Sequence, residues 1–130
     1  MTGERLVTMA EIAHRFIHAY NAFDVPAMLV LLSQDVRFEN YSGGVLTAST
    51  NGKEAFRQLA EQSVAMFSMR EQRVRSLQGN GDVILLDIAY RGTLAVDIQD
   101  GPVAGTLIEL SGSSEFSFDG RLVRSIVDRS

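Results

Sequence analysis

Apolar residues near the start of the chain recur at helical spacing. Met9, Ile12, Ala13, Phe16, Ile17 and Tyr20 form one broad face, with Glu11, His14, Arg15 and His18 mainly opposite. Thr8, with Glu11 three residues on, offers a capping box for this helix and leaves residues 1–7 as a loose lead-in. Asp24 is a good N-cap, and Pro26 falls in a first turn, where its missing N–H costs nothing. Residues 25–32 therefore read as a short apolar helix closed near Ser33. Residues 36–41 alternate as a strand, with Val36, Phe38 and Asn40 on one side and Arg37, Glu39 and Tyr41 on the other. Residues 42–50, opening with Ser42-Gly43-Gly44, read as a loop. Asn51 with Glu54 makes a second capping box, for a helix over 53–68 with Phe56, Leu59, Ala60, Ser63, Val64 and Phe67 as its buried stripe.

From Met69 on the period becomes two. Strands are expected over 70–77, 83–98, 105–118 and 121–128, with room for a kink at Gly92. Turn signals separate them at Gly79-Asn80-Gly81-Asp82, Asp100-Gly101-Pro102 and Asp119-Gly120. The order helix, helix, strand, helix and then four strands implies an α+β domain, its helices packed on one face of a curved, mostly antiparallel sheet.

Strand parity then sorts the side chains. Leu110, Gly112, Ser114, Phe116 and Phe118 share a face that must point to the core, while Glu109, Ser111, Ser113, Glu115 and Ser117 share the other. Over 83–92, Ile84, Leu86, Ile88 and Tyr90 alternate with Val83, Leu85, Asp87, Ala89 and Arg91. A strand apolar on both sides is covered on both sides, so a homodimer contact on the convex sheet face near Asp87 and Arg91 is expected. The inner face predicts a cavity lined by Phe16, Tyr20, Phe38, Asn40, Phe56, Ile84, Leu86, Ile88, Tyr90, Leu110, Ser114 and Phe116. A mostly apolar wall with few polar groups suits a hydrophobic small molecule.

Composition narrows the classes of function. The 130 residues are expected to form one domain over 1–130, large enough to hold together without disulfide or metal. The absence of Cys excludes a disulfide framework, a thiolate metal site and a Cys nucleophile. A net charge of −4 argues against a nucleic-acid or anionic-membrane binder. With no apolar run long enough for a bilayer and no signal-peptide core, a soluble cytoplasmic protein is the expectation. His14 and His18 have a metal-compatible spacing but no third ligand, so they read as a solvated helix face, and no metal or cofactor is expected. Arg70, Arg73 and Arg75, interleaved with Glu71, read as a solvated strand edge rather than an anion site. No helix N-terminus follows Ser42-Gly43-Gly44 to receive a phosphate. Asn40, Tyr20, Tyr90 and Ser114 are able to orient a carbonyl or hydroxyl; the plainer alternative makes Asn40 and Ser114 satisfied polar groups of a partly wet core. Glu39 is expected to point outward, and Asp128 and Arg129 lie at the chain end, where parity is least decisive.

Tyr20-Asn21-Ala22-Phe23-Asp24, Asp35-Val36-Arg37-Phe38-Glu39-Asn40, Gly52-Lys53-Glu54-Ala55-Phe56 and the run Ser114 to Arg121 follow, in order and spacing, the pattern of nuclear transport factor 2-like proteins. The chain most resembles their SnoaL-like group, which includes polyketide cyclases. The resemblance implies a cone-shaped α+β barrel with three helices on the concave face of the sheet, a pocket between them, and usually a homodimer. It does not imply one chemistry. Ketosteroid isomerases, which share this fold, use a carboxylate base with a Tyr and a protonated Asp as oxyanion donors. Matching the motifs puts Phe16, Asn40 and Ser114 at those positions, so this isomerase activity is not expected: Phe donates no hydrogen bond and Asn is no base. The SnoaL-like cyclases also keep an acid at the position matched by Ser114. Limonene-epoxide hydrolases need an Asp-Arg-Asp relay and a Tyr/Asn pair; Asn40 fits the Asn, but Phe38 replaces the Tyr, and Asp87 and Arg91 point away.

Three readings are compatible with these residues. One is an isomerase-, cyclase- or lyase-type enzyme acting on a small hydrophobic ring compound, its base unidentified. Another is a non-catalytic small-molecule-binding or scaffolding homodimer. A third is a protein-association module using the convex sheet. A titratable group inside the cavity discriminates between them.

Overall fold

The computed structural model describes residues 3–130, and in it the first amphipathic run is one helix, α1 (Gly3–Asn21). Thr8 lies inside α1, so Thr8 and Glu11 form no capping box. The expected loose lead-in is helical from Gly3, with Leu6 packed against the core; residues 1 and 2 lie outside the described residues. The chain leaves α1 through Phe23 in the left-handed region (φ 59°). Asp24 then caps α2 (Val25–Leu29), its carboxylate accepting from the Ala27 N–H at 3.1 Å, with Pro26 in the first turn. The strand β1 (Leu32–Ser42) begins earlier than its alternation indicated.

The expected loop over 42–50 is largely a second strand, β2 (Val45–Asn51), paired antiparallel with β1. Its sequence, Val-Leu-Thr-Ala-Ser-Thr-Asn, has no apolar alternation because it is an exposed edge, so its strand character comes from pairing. Asn51 pairs with Arg37 in this ladder, and the N-cap of α3 (Lys53–Met66) is Gly52, at φ 91°, without a side-chain cap. The Gly52 N–H donates to Val36 O at 2.8 Å. Glu54 pairs with Arg57 instead of capping.

The remaining chain is β3 (Phe67–Asn80), β4 (Val83–Leu94), β5 (Leu107–Asp119) and β6 (Leu122–Arg129). Residues 95–106 connect β4 to β5 and are not strand, which shortens both relative to expectation. The β4–β5 ladder passes through Gly92 without a register shift, so there is no kink. A Cβ at Gly92 would stand 2.9 Å from the Phe67 ring, and the glycine permits that approach.

The six strands form one sheet in the order β2-β1-β6-β5-β4-β3, antiparallel except for the β1–β6 pair. The sheet does not close, leaving β2 and β3 as edges. At the β3 edge, the Asn21 side chain donates to Gln72 O at 3.0 Å and accepts from Gln72 N at 2.7 Å, pinning the end of α1 to the strand. The helices cover the inner face, which buries Ile84, Leu86, Phe116, Val123 and Ile126 against Met9, Ile12 and Phe16 of α1. Each such side chain contributes on the order of 1.5–3 kcal/mol by its removal from water. Phe16 meets Phe116 edge-on, with ring centroids 5.4 Å apart, and Phe56 at 6.2 Å. No described helix is long and apolar enough to cross a membrane.

Candidate functional site

A cavity of about 630 Å³ lies between the helices and the inner face of the sheet, within the usual size range for small-molecule sites. Nine of the residues expected to line it do so: Phe16, Tyr20, Phe38, Asn40, Phe56, Ile88, Tyr90, Leu110 and Ser114. Ile84, Leu86 and Phe116 do not. They share the predicted face but are wholly buried, sealed by α1 at the end of the sheet where helix and strands pack directly. Asp87 stands on the opposite face, as parity requires, and pairs with Arg75 at 3.0 Å; Arg91 is also exposed. His14 and His18 are exposed on α1, and among the described residues no three His, Cys, Asp or Glu side chains are gathered to hold a metal ion.

The cavity also contains ionisable groups that the sequence left unassigned. Asp128 lines it, half-buried, and accepts a 2.5 Å hydrogen bond from the Ser114 hydroxyl. Cross-strand pairing explains the placement: Asp128 of β6 lies opposite Ser114 of β5 on one side and Asn40 of β1 on the other. The carboxyl thus falls between the two positions matched to isomerase carboxylates. Burial pushes its pKa from 3.8 up to about 6, opposed by the Ser114 hydrogen bond.

A β-bulge puts Asp128 inside. Near the turn, Phe118 pairs with Val123; beyond a register shift, Ser117 pairs with Ser125, leaving Arg124 as the extra residue. Val123 and Ile126, three residues apart, are therefore both buried, and the inward set continues to Asp128. A strict period of two from Val123 would have put Asp128 on the outer face. The sequence signal available was this three-residue spacing of Val123 and Ile126.

A second polar group stands on the β3–β4 side. The Tyr20 and Tyr90 hydroxyls are 3.1 Å apart, and Arg70 lies over the Tyr20 ring at 3.7 Å and the Phe23 ring at 4.6 Å. Burial raises the pKa of both phenols, so each remains a neutral donor at ordinary pH. At Tyr20, the Tyr90 hydrogen bond and the Arg70 charge oppose that rise while the Asp128 charge adds to it; at Tyr90, Tyr20 adds to it. Arg70 is a correction to the expected solvated edge: only 3% exposed, it faces the cavity. Arg70 shares the inner face with Gln72 and Val74 at a period of two, and its cross-strand partner is Gly92. Arg75 does lie on the outer face, as the pairing with Asp87 shows.

Asn40 donates from Nδ2 to the Thr47 hydroxyl at 2.8 Å, and that hydroxyl donates to Asn40 O at 3.1 Å. Asn40 thus serves the join between β1 and β2. Glu39 lies with Arg37 and Arg124 on a separate outer concavity.

The SnoaL-like domain family model matches residues 13–125. None of the curated proteins compared with the chain matches it significantly. Among solved structures, a Xanthomonas campestris protein provisionally named a polyketide cyclase has a TM-score of 0.84 and 18% identity, covering 97% of this chain and 92% of its own. A Streptomyces galilaeus protein provisionally named a hydroxylase has a TM-score of 0.73 and 18% identity, with 92% and 86% covered. An NTF2-like protein of unknown function from Burkholderia pseudomallei has a TM-score of 0.76 and 15% identity, with 93% and 88% covered. Likeness at these identities shows the fold. The family match over most of its length places this chain in the SnoaL-like domain family, and the solved structures give it the nuclear transport factor 2-like fold.

Proposed function

We propose that the chain is an isomerase- or cyclase-type enzyme that removes a proton from carbon beside a carbonyl of a small hydrophobic ring compound, with Asp128 as the general base. The observation that carries this reading is the Asp128 carboxyl in an apolar cavity, hydrogen-bonded by Ser114 and pushed up to about 6. A base of that pKa is largely ionised at neutral pH yet strong enough to take a carbon-bound proton. The electron pair left by the proton moves onto the carbonyl oxygen, and the Tyr20–Tyr90 pair supplies a neutral O–H to the resulting enolate. Where the substrate is a β,γ-unsaturated carbonyl compound, the resulting dienolate takes the proton back from Asp128 at its γ carbon; otherwise the enolate carbon attacks a second carbonyl. In the latter case Asp128 returns its proton to the new alkoxide. The pocket lining predicted from sequence is, on this reading, the substrate-binding wall. A homodimer through the convex face near Asp87 and Arg91 belongs to the same proposal.

Deuterium uptake from D₂O at the carbons beside the carbonyl of 2-tetralone, followed by NMR, tests the chemistry. Uptake at least about 100-fold faster with the parent than with Asp128→Asn is expected for a positioned base. Equal uptake would favour the second reading, a non-catalytic binder, which the lack of a carboxyl at Asn40 and Ser114 supports.

A further inference from the structure

Arg70 is a buried cation without a counter-ion. Its Nε donates to Tyr20 O at 2.9 Å and its Nη1 to Ser63 Oγ at 3.0 Å. Both partners are neutral, and the Tyr20 carbonyl at the end of α1 offers only the partial negative charge of a helix C-terminus. Among the described residues no carboxylate lies within ion-pair distance of Arg70, and Nη2 has no hydrogen-bond partner. Nη2 is also not one of the buried polar atoms sealed off without a partner, so it retains an accessible face, and the residue lines the cavity. A guanidinium has donors in a planar fork, and a buried one is costly unless paired. The Tyr20 and Phe23 rings fix the plane of the fork, as a site for a planar anion requires.

We propose that Arg70 is the anion-binding pole of the cavity and that its ligand is an apolar ring compound bearing a carboxylate. The carboxylate pairs with the open edge of the Arg70 fork. The ring fills the space lined by Phe16, Phe56, Phe67 and Ile88. This orientation keeps the ligand's charge at the opposite pole from Asp128 and presents its reacting carbon there. The assignment deepens the function proposed above and rests on this cavity being the substrate site.

Binding of naphthalene-2-carboxylate and naphthalene-2-carboxamide, measured by titration calorimetry at pH 7.5, tests it. The two probes share shape and ring and differ in charge. The parent is expected to bind the carboxylate roughly tenfold or more tighter than the amide. Arg70→Lys and Arg70→Met, each checked for cooperative unfolding, are expected to lose most of that preference, Arg70→Met entirely. Equal affinity for the two probes, or no binding of either to the parent, would overturn the proposal. So would a preference that survives in a folded Arg70 variant, because another cation, Arg129 at the cavity, would then be responsible. Asp128→Asn, which removes a negative charge from the same cavity, keeps or strengthens the preference on this account, so a failure here is distinct from a failure of the proton-transfer chemistry, which deuterium uptake reads.

Discussion

Ser114 and Asp128, paired across the β5–β6 ladder, are joined by a 2.5 Å hydrogen bond in which the hydroxyl donates to the carboxylate. The position matched to a cyclase acid is held by a hydroxyl, and the acid comes from the next strand. The hydroxyl stabilises the charged form of its partner. Ser114→Ala should therefore raise the Asp128 pKa above about 6 and move the midpoint of the deuterium-uptake pH profile upward with it. An unchanged midpoint in the folded variant would show that Ser114 does not position or tune the carboxyl.

Asp128 should also make stability depend on pH. Its folded pKa, about 6, lies above the ordinary 3.8. Between those values the folded chain holds a proton that the unfolded chain has released, so stability falls as pH rises through this window, with the full penalty present above about pH 6. Asp128→Asn should be more stable than the parent above about pH 6 by up to about 3 kcal/mol, an upper bound because the carboxyl keeps some solvent contact. The difference should vanish below about pH 4 in urea titrations. A difference independent of pH would contradict the burial argument.

Arg70→Met should unfold within about 1 kcal/mol of the parent or above it, because an unpaired buried charge is exchanged for an apolar side chain of similar length. Tyr20 O would keep the Phe23 N–H as a donor at 3.1 Å. A loss of several kcal/mol in chemical denaturation would make Arg70 a structural residue.

Gly112→Ala should be damaging. A Cβ at this position would stand 2.2 Å from the backbone oxygen of Arg129, which cannot swing aside as a side chain can. A cost of about 1–3 kcal/mol is expected, with the Asp128 titration disturbed because β5 and β6 are forced apart beside it. Gly79→Ala makes its one close approach to the flexible end of Leu6 and should cost less. Similar losses for the two would contradict this account.

The proposed convex-face dimer requires the chain to sediment at twice its 14.3 kDa mass. Leu85, 39% exposed on that face beside the Arg75–Asp87 pair, is the position to test. Leu85→Asp should give monomers, whereas a parent chain already sedimenting as a monomer would sink the dimer.

Element types and the inner face of β4 were legible because Ile84, Leu86 and Ile88 alternate without interruption. The edge strand β2 was not, since an exposed strand need carry no apolar alternation. Parity indicated part of the apolar lining but not that Ile84, Leu86 and Phe116 are sealed beneath α1, nor where the charged poles lie. Both lie beyond bulges, at Ser117/Phe118 for Asp128 and, counted back from Leu77, at Val74/Ser76 for Arg70, and each bulge reverses the side-chain alternation. Arg70 was misread for a further reason: its neighbours Glu71 and Arg73 are exposed, and a charged run resembles a solvated edge unless its middle is known to turn inward.

The most direct measurement is a ¹³C NMR titration of the Asp128 side-chain carboxyl in the intact chain, assigned by comparison with Asp128→Asn. A single midpoint near pH 6 is predicted, moving when a naphthalene ring fills the cavity. A midpoint at or below the ordinary value of 3.8, insensitive to the ligand, would place the carboxyl in solvent and contradict its role as the base of this site.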